Sequence, residues 1–67
     1  MDHVQLTVLR GKLISVESGY ALDIMEAGDV QTEAKGFLEQ YPDMPKEERA
    51  RCEALLLAGK PTVGRVL

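Results

Sequence analysis

The chain has 67 residues, a formal net charge of −3, 45% hydrophobic and 28% charged residues, and one cysteine. That length allows a single domain, 1–67, which buries only about 60% of its unfolded surface and is marginally stable alone. One cysteine excludes an internal disulfide, the acidic balance weighs against sequence-independent nucleic-acid binding, and no apolar run of about 18 residues marks a membrane span.

The first residues, Met1, Asp2 and His3, lack the basic stretch and apolar core of a secretory signal. With a lone thiol this points to the cytoplasm. Next come two glycine-bearing breaks in an alternating pattern. V-Q-L-T-V-L, L-I-S-V and Y-A-L-D-I are separated by Arg10, Gly11, Lys12 and by Glu17, Ser18, Gly19. Alternation of apolar and polar residues predicts strands with one buried face. Three-residue loops set Val8 opposite Ile14, Leu6 opposite Val16, and Val16 opposite Tyr20. A two-residue first loop sets Leu6 against Ser15 and mixes the faces. The sequence therefore predicts a three-stranded antiparallel meander at about 4–9, 13–17 and 20–25. Its core face is Val4, Leu6, Val8, Ile14, Val16, Tyr20, Leu22 and Ile24. A short helix over 20–27 is the rival reading of the third strand.

Asp29 is a good N-cap for a helix at about 30–41, whose stripe is Val30, Ala34, Phe37, Leu38 and Tyr41. Pro42 stops it. A second helix at about 45–58 starts at Pro45, with Glu47 and Glu48 favouring the positive end of its dipole. It carries Cys52, Leu55, Leu56 and Leu57, and Gly59 followed by Pro61 ends it. Residues 62–67 fit a strand or a short helix. The expected architecture is α+β, in the order β-β-β-α-α.

Sites for chemistry are sparse. His3 is the single histidine, and general acid–base or triad chemistry needs a second group placed beside it. Cys52 lies near Arg49 and Arg51, which lower a thiol pKa, but on the leucine-bearing side, where cysteine behaves as a small hydrophobe. Gly59, Lys60, Pro61 and Thr62 resemble the end of a phosphate-binding loop, but a proline interrupts them and a helix precedes them. Asp23, Glu26 and Asp29 read as a solvated acidic rim, short of a calcium loop. No enzyme, cofactor or metal site is expected.

Charge is uneven. Residues 1–43 carry three basic and eight acidic side chains; residues 44–67 carry five basic and three acidic. This leaves a DNA reading open for the basic C-terminal third, where residues 54–67 resemble the first helix and turn of a helix-turn-helix. Gly28-Asp29 before a helix, with Leu56, Gly59 and Pro61 late in the chain, resembles in outline the HicB-type antitoxins, a likeness carried by cap residues. It implies a short sheet ahead of the helix and a regulatory role.

The function expected from the sequence is a small non-enzymatic interaction or regulatory module. It is homodimeric and docks on a protein partner. The interface candidates are Leu55, Leu56 and Leu57 with Arg49 and Arg51, and the facing pair Leu9 and Leu13 on the polar side of the sheet. A DNA-binding, antitoxin-like regulator is the alternative.

Overall fold

The computed structural model describes residues 1–58. It contains three helices, α1 (His3–Ala21), α2 (Ala27–Gln40) and α3 (Lys46–Leu56). No strand is present among the described residues. The expected meander, and the α+β class with it, is overturned: 4–9 and 13–17 lie inside α1, and 20–25 straddles its end. The helix considered at 20–27 is not formed either, since α1 stops at Ala21.

The physical reason lies in two local features. Asp2 and Gln5 form a reciprocal capping box: the Asp2 carboxylate accepts from the Gln5 N–H at 2.8 Å, and the Gln5 side-chain carbonyl from the Asp2 N–H at 3.2 Å. Two orphan donors are thereby satisfied, and the helix has a defined start. From there Leu6, Leu9, Leu13, Val16 and Tyr20 recur at intervals of three, four, three and four, which is one helical stripe. The alternation rests mainly on Val4, Leu6 and Val8, too short a run to outweigh it.

The C-terminus of α1 closes in a Schellman motif. The N–H groups of Ile24 and Asp23 donate to the carbonyls of Gly19 (2.8 Å) and Tyr20 (3.1 Å). Asp23 takes the left-handed position at φ 60°. Gly19 sits under the Met25 side chain, and a Cβ there would lie 3.0 Å from the Met25 Cγ and Sδ. Gly19, the last residue of the expected second loop, is thus a packing glycine at a helix end.

The helices α2 and α3 overlap those expected at 30–41 and 45–58. Asp29 sits in the first turn of α2, while Glu26 takes the cap position. Glu47 and Glu48 occupy the first turn of α3, as the dipole favours. The expected Gly59 cap, the Pro61 stop and residues 62–67 lie outside the described residues.

The core takes Leu9, Leu13 and Val16 from α1, and Val30, Ala34 and Phe37 from α2. Tyr41 and Met44 come from the connection, and Cys52 and Leu55 from α3. α1 lies on the α2–α3 hairpin, running the same way as α3. Two ion pairs fasten it: Arg10 Nε to Glu48 Oε2 at 2.9 Å, and a bidentate contact from Arg51 to Glu17 at 2.6 and 3.0 Å. The Met1 amino group pairs with Asp43 and holds that carboxyl below its ordinary pKa.

Of the core face expected for the sheet, only Val16 is buried. Val4, Val8, Ile14, Leu22 and Ile24 are 45–74% exposed. A helical period sends these residues to the side opposite the stripe or into the loop after it.

Candidate functional site

Two exposed surfaces stand out. The first is the outer side of α1 with the groove beside it. Val4, Thr7, Val8, Gly11, Ile14, Ser15 and Ser18 share one uncharged arc of this helix, so α1 carries apolar residues on both sides. A helix serving only its own core has a charged or polar outer face. Between α1 and α2 runs an open groove of about 730 Å³, with Val16 and Phe37 in its floor, Gly11 and Gly36 on its two walls, and Lys12 and Glu33 as its charged residues.

A Cβ at Gly11 or at Gly36 would meet nothing within 4 Å. Each glycine sits inside a helix, where it costs about 1 kcal/mol relative to alanine. Nothing within the described fold requires that cost, in contrast to Gly19. Lys12 leans over the Tyr41 ring, 5.9 Å from its centroid.

The second surface is one end of the molecule, where the C-termini of α1 and α3 meet the start of α2. The Gln31 side-chain amide donates to the Ala58 carbonyl and holds these ends together. Tyr20, Leu22, Ile24 and Leu57 are exposed there, the last three at 66–74%.

The sequence-derived interface candidates fall into different places. Leu9 and Leu13 are fully buried and Leu55 nearly so. The exposed sheet face that made Leu9 and Leu13 look unpartnered does not exist, and α1 turns both into its own core. Leu56 packs partly buried against that core, and Leu57 is exposed. Arg49 donates to the Pro42 carbonyl at 2.7 Å, and Arg51 is held by Glu17, which raises its pKa. The sequence reading missed Val4, Val8, Ile14, Leu22 and Ile24 as surface. The three-four spacing of Leu6, Leu9, Leu13 and Val16 is the signal that excludes them from the core.

Cys52 is fully buried, with Sγ 3.9 Å from the Met44 sulfur. Burial pushes its pKa up against the opposing influence of Arg51 and Arg49, so the thiol stays protonated at neutral pH. Alkylation of the native protein should therefore be slow and should accelerate in denaturant; immediate labelling in native buffer would show a reactive thiol instead. The raised pKa also has a sign for stability. Above the ordinary thiol value the unfolded chain ionises first, so stability falls as pH rises through that range.

Among the described residues no three His, Cys, Asp or Glu side chains converge as metal ligands, and no described helix is long and apolar enough to cross a membrane. His3 is exposed in the first turn of α1. Among the described residues Glu48 is the buried charged one, with Oε2 on Arg10 and Oε1 without a partner there. Comparison with protein-family models, with curated proteins and with solved structures finds no match to this chain.

Proposed function

We propose that the chain is a non-enzymatic interaction module of the cytoplasm, homodimeric, that docks on a protein partner through apolar surface. The observation that carries this reading is the division of its large hydrophobic residues. Val4, Val8, Ile14, Tyr20, Leu22, Ile24 and Leu57 are exposed while a small core is complete without them. Scattered exposed leucines are ordinary, but here the exposed residues gather on one helix side and at one end, which is how interaction surfaces differ from ordinary surface.

The DNA-binding alternative lacks comparable support. Arg49 and Arg51 are engaged with the chain's own carbonyl and carboxylate. Lys60, Arg65 and most of the stretch resembling a helix-turn-helix lie outside the described residues.

The test uses wild-type protein and the double variant Leu22→Glu/Ile24→Glu as baits in lysate of the source cells. Both side chains are at least 70% exposed, so circular dichroism and the urea midpoint should not change. A protein retained by wild type and lost with the variant is expected. Identical retention by both baits, or a wild-type shift of nonspecific DNA at low salt, would overturn the reading.

A further inference from the structure

We infer that the outer side of α1 and the α1/α2 groove form a two-fold interface with a second copy of this chain. The inference rests on the homodimeric part of the function proposed above and names its surface. Three features of the surface select a second copy as the occupant.

The first is shape. Gly11 and Gly36 leave the groove walls without a Cβ and allow another helix to approach closely, while Val4, Val8 and Ile14 form an apolar crest on the same face. About a two-fold axis across these helices each α1 lies antiparallel on the other, so the crest meets its own image on either side of Gly11, as an isologous interface requires.

The second is charge. Lys12 and Glu33, of opposite sign, are the charged residues of the groove, and α2 runs antiparallel to α1. The Lys12 ammonium reaches the Tyr41 ring, eight residues along α2 from Glu33. A copy turned about a two-fold axis across the groove reverses this order and sets each lysine toward the other copy's glutamate. The remaining basic neighbour on α1, Arg10, is drawn to Glu48 and away from the face.

The third is area. α1 is roughly 28 Å long and two helices side by side span about 20 Å, a flat footprint of about 560 Å² per partner, in the range of small, reversible interfaces that dissociate at micromolar concentration. The end of the molecule with Leu22, Ile24 and Leu57 stays free for another protein.

The experiment is sedimentation across micromolar concentrations of the full chain, comparing wild type with Gly11→Leu, Gly36→Leu and Gly28→Leu. All three glycines are open to a Cβ, but Gly28 lies outside the groove. Wild type and Gly28→Leu should associate. The Gly11 and Gly36 variants should dissociate at least about 100-fold more readily, with helix content retained by circular dichroism. Lys12→Glu and Glu33→Lys should each weaken association, and the double swap should restore it, a rescue that loss of folding cannot produce. A wild type that stays monomeric overturns both this interface and the homodimeric part of the proposed function. A wild-type dimer that persists in the Gly11 and Gly36 variants overturns the interface alone.

Discussion

Leu13→Ala should destabilise the protein by about 3 kcal/mol, while Ile24→Ala should change stability by less than about 0.5 kcal/mol. Leu13 is fully buried in the layer where α1 meets the α2–α3 hairpin, and Ile24 is 74% exposed in the loop after α1. Removing the leucine methyl groups forfeits their transfer free energy and leaves a cavity that three short helices close only in part. For a domain of this size the whole folding free energy is roughly 3–10 kcal/mol, so Leu13→Ala should unfold a large fraction of the molecules at 37 °C. Urea titration followed by circular dichroism measures both variants. A meander would give the reverse order, with Ile24 in its core and Leu13 on its outer face, so the ranking tests the fold directly.

That reversal shows where the sequence was legible. In the second half, Val30, Ala34, Phe37 and Tyr41 fall on a helical stripe with nothing to compete, and Pro42 and Pro45 punctuate it. The helices are visible in the residues themselves. In the first third, apolar residues are dense enough to satisfy two periods at once. Val4, Leu6 and Val8 alternate; Leu6, Leu9, Leu13 and Val16 step by three and four. The tie is broken by the Asp2–Gln5 capping box and by Gly11, which sits in the middle of its supposed loop, where a three-residue hairpin wants its glycine last. The same density explains why the candidate surface was misplaced. An α1 that is apolar on both sides has one side for its own core and one for something else, and periodicity alone does not say which is which. Gly11 is invisible as a groove glycine, because Gly11 and Gly19 look alike in sequence. Only the Met25 side chain over Gly19 and the open space at Gly11 separate them.

Arg10→Met should cost about 2–3 kcal/mol, whereas Glu48→Leu should cost less than about 1 kcal/mol. The two residues share one ion pair at 2.9 Å, but their surroundings differ: the Glu48 side chain is 4% exposed and that of Arg10 49%. Removing the arginine strands a carboxylate in the interior whose other oxygen, Oε1, already has no partner among the described residues. The expected loss falls below the 3–5 kcal/mol of a fully buried pair because half of Arg10 is already in water. Removing the carboxylate instead returns the arginine to solvent and replaces a poorly satisfied charge with an apolar side chain one turn before the buried Cys52. The double variant Arg10→Met/Glu48→Leu should therefore be as stable as wild type or more so, and urea midpoints of the three variants measure the asymmetry. Equal losses in the two single variants would show that the pair itself, not the burial of Glu48, is what matters. The same geometry bears on recognition. Arg10, Arg49 and Arg51 are each committed to a contact within the chain. A partner that meets these helices is thus offered little free guanidinium, and the exposed apolar side of α1 and the Leu22, Ile24 and Leu57 end remain as the surfaces on which binding affinity can be built.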